Sequence, residues 1–95
     1  MTKYYLQPGS CINQQSFYKK ALVYDWNNYK QLYSYGTLVA EFRTADGLSY
    51  IKIYGWYSST TAKHINEFIY QCGYEEKLSK YEMNKFADSD TELIF

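Results

Sequence analysis

The sequence predicts a single α+β domain, in which a four-stranded antiparallel meander over about residues 20–56 packs against one capped amphipathic helix over about residues 59–72. Two observations lead to this prediction. Residues 20–56 alternate between apolar and polar side chains and are interrupted by turn residues at intervals typical of short strands. Residues 59–72 instead carry apolar side chains three and four positions apart, which is the spacing of one helix face.

The four predicted strands are separated by three turn signals. The first strand begins near residue 20 and ends before the pair Asn27–Asn28, which suits a tight turn. The second strand ends at Gly36, where we expect a short turn or a bulge. The third ends at Asp46–Gly47, in which glycine suits a positive φ, and the fourth continues to about residue 56.

Alternation along these strands gives the predicted sheet an aliphatic side, which the helix is expected to cover, and a side rich in aromatic rings. The aliphatic side is expected to carry Val23, Leu32, Leu38, Ala40, Phe42, Ile51 and Ile53. The opposite side is expected to carry Tyr24, Trp26, Tyr33, Tyr35, Tyr50, Tyr54 and Trp56, together with Glu41, Arg43 and Lys52. A slip of one residue in a strand would exchange members between the two sides.

The predicted helix has a stop signal and a start that is rich in hydroxyl groups. The hydroxyls around its start belong to Ser58, Ser59, Thr60 and Thr61, and one of the two serines is expected to cap the first turn. Gly73 suits the left-handed residue that ends a helix. His64 is expected to reach hydroxyls of the corner at residues 34–37 and so to join hairpin and helix. With Lys63 nearby, the helix start would also suit an anion.

The two ends of the chain are predicted to be less regular. Residues 1–16 are expected to form an arm or loop that holds at most one short strand at residues 3–6. A short second, C-terminal helix is predicted over about residues 75–87, because glutamates at its first two positions suit the positive end of a helix. Residues 88–95 form a tail that is first acidic and then apolar.

The residues provide few of the groups that catalysis requires. A single histidine without a nucleophile and an orienting group gives no triad, and isolated glycines give no phosphate-binding loop. Cys11 and Cys72 are far apart and are not in metal-ligand spacing. We therefore predict a non-enzymatic protein without catalytic residues, cofactor or metal. Lacking a signal peptide or a long apolar run, it is expected to be cytoplasmic and not membrane-bound.

Two separated motifs agree in order and spacing with a known family. The first reads SYGTxVA over residues 34–40, and the second reads YSxTTxKHI over residues 57–65. In these motifs the chain resembles a family of small proteins carried by bacteriophages and plasmids of Gram-positive hosts, and the likeness covers about residues 32–74. Because that family has no assigned chemistry, the resemblance implies a setting, a mobile genetic element, and not a mechanism.

The aromatic content indicates a binding function. Thirteen Tyr and two Trp in 95 residues exceed what one small core absorbs, because each Tyr hydroxyl must find a partner or stay in water. We expect an inhibitor that occupies a surface of a host protein. In the setting that the resemblance implies, the expected process is host defence and the expected target a CRISPR effector nuclease, as for an anti-CRISPR protein. The candidate contact residues are Tyr24, Trp26, Tyr33, Tyr35, Arg43, Tyr50, Lys52, Tyr54 and Trp56.

Two alternatives remain open from the sequence. One is a single-stranded nucleic-acid module, in which rings stack on bases and basic side chains meet phosphates. Its stacking residues would be Tyr24, Tyr33, Tyr35 and Trp56, and its basic residues Lys20, Arg43 and Lys52. Zero net charge, from ten basic and ten acidic residues, disfavours a duplex binder. The other alternative is a symmetric homodimer formed through the sheet face or an edge strand.

Overall fold

A computed structural model of the protein describes residues 1–7 and 19–95. Its strands are β1 (Thr2–Tyr5), β2 (Ala21–Asp25), β3 (Tyr29–Ser34), β4 (Thr37–Ala45), β5 (Leu48–Ile53) and β6 (Leu93–Ile94), and its helices are α1 (Ser59–Gln71) and α2 (Lys80–Ser89). The strands form one antiparallel sheet whose spatial order follows chain order. The α+β class is confirmed, but the prediction of four strands is wrong, because β1 and β6 add a strand at each edge.

The two added strands come from the ends of the chain. β1 is the short strand predicted at residues 3–6 and begins one residue earlier, with Leu6 continuing the ladder by donating to the carbonyl of Ala21 at 2.7 Å. β6 is built from the apolar end of the predicted tail and pairs with β5. Phe95 and Ser49 extend that pairing with two backbone hydrogen bonds of 2.8 and 2.9 Å. The remainder of the predicted N-terminal arm, residues 8–16, lies outside the described residues.

The hairpins on either side of β4 have two-residue loops. In the β3–β4 loop Tyr35 and Gly36 have φ values of 51° and 82°, and in the β4–β5 loop Asp46 and Gly47 have 53° and 79°. Positive φ at both loop positions is the turn whose twist matches that of the strands. Gly36 therefore marks a turn, as one of its two predicted alternatives stated. Tyr35 is an unusual occupant of such a turn, because a side chain with a Cβ is strained at positive φ.

A bulge follows in β4 and changes which residues face the core. Leu32 pairs with Ala40, whereas the next residue, Tyr33, pairs with Leu38, so Val39 is an extra residue on β4. Val39 and Ala40 are both buried, and Leu38 is only partly buried. The prediction that Leu38 faces the helix is wrong because alternation cannot locate an inserted residue. The other six residues predicted for the aliphatic side are buried.

The core lies between one side of the sheet and α1. Ile65, Phe68 and Ile69 of α1 are buried together with the aliphatic residues of β2 to β5. Ser58 caps α1 by accepting a hydrogen bond from the amide of Thr61 at 3.1 Å. At the other end Gly73 has a φ of 111°, and the Gly73 and Tyr74 amides bond the Tyr70 and Ile69 carbonyls. These two bonds form the Schellman motif, so both predicted ends of α1 are confirmed.

The second helix begins five residues later than predicted. Its start is a capping box, in which the Ser79 hydroxyl accepts from the Glu82 amide while the Glu82 carboxylate accepts from the Ser79 amide. Residues 75–79 therefore precede the helix. The Asn66 side chain holds this segment through two hydrogen bonds, of 2.8 and 3.2 Å, to the backbone of Leu78. Met83 is buried on α2, whereas Tyr81 is 72% exposed.

Candidate partner-binding surface

The side of the sheet opposite α1, here called the outer face, is not covered by either described helix. Its position follows from the register, in which Tyr24, Gln31, Glu41 and Lys52 stand side by side across β2 to β5. Rows on either side of this one complete the surface. The outer face carries Lys3, Tyr5, Leu22, Tyr24, Trp26, Tyr29, Gln31, Tyr33, Leu38, Glu41, Arg43, Tyr50, Lys52 and Tyr54. The aromatic residues among these are half-buried or exposed, with Trp26 41% and Tyr54 37% exposed.

Four rings of the outer face form a continuous cluster. The Tyr24 ring meets Tyr33 edge-on at a centroid distance of 5.4 Å and is stacked with Trp26 at 6.2 Å. Trp26 in turn lies 5.5 Å from the ring of Tyr29. Such pairs stabilise each other by about 0.5–1.5 kcal/mol beyond the area that they bury. The rings are therefore held in place by one another, and all four residues are either partly buried or exposed.

Glu41 stands at the end of this ring cluster, in the middle of the sheet. Its carboxylate accepts hydrogen bonds from the hydroxyls of Tyr29 and Tyr54 and, at 3.3 Å, from the Gln31 amide. Partial burial acts to raise the pKa of Glu41, but the three hydrogen bonds and the charge of Lys52 outweigh it, and the pKa lies below its ordinary value of 4.5. Burial and the bond to Glu41 raise the pKa of Tyr54 and of Tyr29. Glu41 is therefore ionised at neutral pH and both tyrosines are protonated donors.

The two cations predicted for this surface are each paired with the C-terminal tail. Arg43 lies over the ring of Tyr50 at 4.1 Å and bonds Glu92 at 3.1 Å. Lys52 lies 5.4 Å from the centre of the Tyr54 ring and bonds Asp90 at 3.2 Å. The carboxylates come from the segment between α2 and β6, which runs beside β5. A cleft of about 280 Å³ opens there between β5 and the end of α2.

Two predicted contact residues do not lie on the outer face. Trp56 follows the end of β5 and Gly55, packs against the core and carries the Lys80 ammonium 4.3 Å above its ring. Tyr35 sits in the β3–β4 turn, with its ring 5.7 Å from that of His64 and with Lys20 5.5 Å away. The alternation was extended past the ends of two strands, where it no longer applies. The other predicted candidates, Tyr24, Trp26, Tyr33, Arg43, Tyr50, Lys52 and Tyr54, share the surface.

The hydroxyl-rich helix start and His64 form a buried polar cluster on the opposite side of the sheet. The Ser34 hydroxyl lies 2.8 Å from Nδ1 of His64 and 2.9 Å from Oγ1 of Thr61, and all three residues are buried. This is the contact between helix and hairpin corner that the sequence predicts. With Ser58 used as the cap and Thr61 bonded inward, two hydroxyls of the helix start are already occupied. The arrangement therefore favours an architectural role over anion binding.

Several residues of the outer face, among them Tyr29, Gln31 and Glu41, were not among the candidate contact residues from the sequence. Tyr29 and Gln31 orient the carboxylate of Glu41, and the period of two does place both residues on the side of Tyr33. What the pattern lacks is a signal that Glu41 is the shared acceptor. Asp90 and Glu92 were also missed, because a tail with no predicted strand has no expected position beside β5.

Residues 1–7 and 19–95 contain neither a cluster of metal ligands nor an activated cysteine thiol. No group of three or more His, Cys, Asp or Glu side chains in these residues could hold a metal ion. The Cys72 thiol is free, and burial raises its pKa to about 12, which makes it a poor nucleophile at neutral pH. None of the described helices is long and apolar enough to span a membrane.

Comparison with known proteins gives a family without a function. Residues 4–85 match a family described as a family of unknown function (DUF8033). The match extends from β1 into α2 and so includes every strand of the outer face. No curated protein and no solved structure matches the chain.

Proposed function

The chain belongs to DUF8033, a family of unknown function, and we propose that it is a non-enzymatic binding protein whose outer face occupies a surface of a protein target. The observation that carries this proposal is the ring cluster of Tyr24, Trp26, Tyr29 and Tyr33 on a sheet face that no described helix covers. Tyr and Trp supply large contact area at low cost in conformational entropy. Because the cluster fixes these rings before binding, little further entropy is lost on docking.

Charge on the outer face favours a protein over a nucleic acid. Arg43 and Lys52, two of the three cations that would meet phosphates, are paired with Glu92 and Asp90. The third, Lys20, lies beside Tyr35, away from the outer face, and Lys3 stands opposite Tyr24 at the β1 edge, far from Glu41 on β4. The ionised carboxylate of Glu41 at the centre of the surface would repel a phosphate backbone. A protein partner, which carries both signs of charge, fits this arrangement better.

The kind of target is proposed from the motif resemblance. A phage or plasmid of a Gram-positive host would use a small surface-occupying protein in the host cytoplasm, against a host defence system. We propose a CRISPR effector nuclease as the target and inhibition without chemistry as the mechanism. This part of the proposal depends on the two motifs at residues 34–40 and 57–65, whereas the binding role depends on the outer face.

A nuclease assay with surface variants tests the proposal. Purified protein is added in excess to a panel of CRISPR effector nucleases from Gram-positive hosts, each with its guide and target DNA. We expect inhibition of one effector by the native chain and its loss in the double variant Trp26→Ala, Tyr33→Ala. The matched control is Tyr70→Ala with Tyr81→Ala, which removes two exposed tyrosines from the helices. Equal inhibition by the surface variant and the control would contradict a role for the outer face.

The alternative functions predict different results in simpler measurements. A single-stranded nucleic-acid module would shift labelled oligonucleotides in a gel at low salt and lose them as salt is raised. A homodimer would elute at twice the chain mass in size exclusion with light scattering. We expect no shift and a monomer mass, and the opposite result in either assay would displace protein binding as the preferred function.

A further inference from the structure

We propose that Glu41 binds one basic side chain of the protein partner, either a lysine or an arginine. This inference rests on the proposed function and adds to it the chemistry of the partner at one point. Glu41 lies on β4, between β3 and β5, and is partly buried on the outer face. A partner that covers the ring cluster therefore also covers this carboxylate.

The hydrogen bonds of Glu41 leave room for one more donor. Its Oε2 atom accepts from the Tyr29 hydroxyl and the Gln31 amide, while its Oε1 atom accepts from the Tyr54 hydroxyl. Each carboxylate oxygen can accept about two hydrogen bonds. The open position is on Oε1, on the Tyr54 side of the group. One N–H of an ammonium or guanidinium group would complete the set.

Glu41 has no direct ion pair within the described part of the chain. Its three donors are neutral, and none of the ion pairs among the described residues involves Glu41. Lys52 stands opposite Glu41 on β5 and acts on it through its charge, but the Lys52 ammonium bonds Asp90. A carboxylate that a partner desolvates is destabilised unless a cation contacts it. The partner is therefore expected to bring a basic side chain that bonds this carboxylate directly.

The rings beside Glu41 suit the same kind of group. Tyr29 and Tyr54 flank the carboxylate, since the hydroxyls of both bind it, and Trp26 lies against Tyr29. A cation near the face of an aromatic ring is attracted by the ring's quadrupole. A carboxylate framed by rings thus recognises a basic side chain by both its charge and its apolar stem. An acidic or phosphorylated segment would meet repulsion at this position.

A peptide-display selection tests the inference without knowledge of the natural partner. A library of random twelve-residue peptides is selected on the immobilised native chain, and enriched peptides are mapped by NMR amide shifts. We expect the enriched peptides to share a Lys or Arg between apolar residues and to shift amides of β3, β4 and β5. The variant Glu41→Gln should bind these peptides about tenfold or more weakly.

A matched control and a change in the peptide separate binding from folding. Glu76→Gln removes another carboxylate that accepts from a tyrosine hydroxyl, at 3.1 Å from Tyr74, but lies away from the outer face, and it should bind normally. Replacing the peptide's arginine by citrulline, or its lysine by norleucine, should reproduce the loss with the native chain.

The outcomes distinguish the two proposals. Peptides that bind the outer face without a basic residue, or that bind the Glu41→Gln variant with unchanged affinity, would contradict the proposed role of Glu41. The proposed binding function of the outer face would still stand. Peptides that map only to other surfaces would overturn the proposed use of the outer face itself.

Discussion

Replacing Ser34 by alanine should destabilise the fold more than loss of an exposed hydroxyl among the described residues. The Ser34 hydroxyl joins Nδ1 of His64 to Oγ1 of Thr61, and it lies where the hairpin of β3 and β4 meets α1. Its removal takes one hydrogen bond from each of two buried polar atoms, at about 1–3 kcal/mol each. Allowing for partial rearrangement around the cavity, we expect the free energy of unfolding to fall by about 2–3 kcal/mol, which lowers the Tm of a domain of this size by about 10–20 °C.

Chemical denaturation and thermal melting measure this loss, and Ser59→Ala provides the matched control. Ser59 is the exposed first residue of α1, and its replacement should change the free energy of unfolding by less than about 0.5 kcal/mol. Adding Thr61→Val to Ser34→Ala should cost less than the sum of the single losses, because the two share one hydrogen bond. Ser34→Ala and Ser59→Ala with the same small effect would refute the view that this cluster joins hairpin to helix.

Three further predictions follow from the backbone and the titratable groups. Gly73→Ala should lower the free energy of unfolding, measured by urea titration, by about 1 kcal/mol, because a residue with a Cβ is strained at the positive φ of this position. The added Cβ would lie 3.6 Å from the Phe95 ring, which is an ordinary van der Waals distance and adds no clash. The pKa of Glu41 is lowered, so the stability that its ionised form contributes is present above the ordinary pKa of 4.5 and is lost as the pH falls below that value. The Tm difference between the native chain and Glu41→Gln should therefore be constant at neutral pH and shrink below about pH 4.5. Burial raises the pKa of the Cys72 thiol to about 12. In a Cys11→Ser background, this thiol should therefore react with a thiol reagent at pH 8 far more slowly in the folded protein than in urea. Equal reaction rates would contradict the burial of Cys72.

The elements whose signals are local and redundant could be predicted from the sequence. Helix α1 has an apolar stripe, a capping serine and a terminating glycine, and all three indicate the same boundaries. The loop at Asp46–Gly47 is similarly clear, because both residue types favour the conformation that the hairpin needs. Agreement among independent signals is what made these predictions secure.

The misses occurred where the deciding interaction is distant in sequence or where two local signals compete. β6 has two residues, too few to show a period, and it is a strand because β5 offers an edge. For α2, the glutamates at residues 75 and 76 and the capping box at Ser79 both satisfy the rules for a helix start. The bulge at Val39 is invisible to alternation, which assumes one residue per position. Placing Leu38, Tyr35 and Trp56 correctly required the register itself.

The capped β5 edge has a consequence for how copies of this chain could associate. Among the described strands both β1 and β6 pair on one side only, but β6 has two residues whereas β1 has four. An assembly that grows by adding strands needs two usable edges on each copy. Because so short a strand offers few backbone groups for pairing, two chains joined through β1 would present only their β6 ends to a third. We therefore expect such an association to end as a closed pair instead of extending into a fibre.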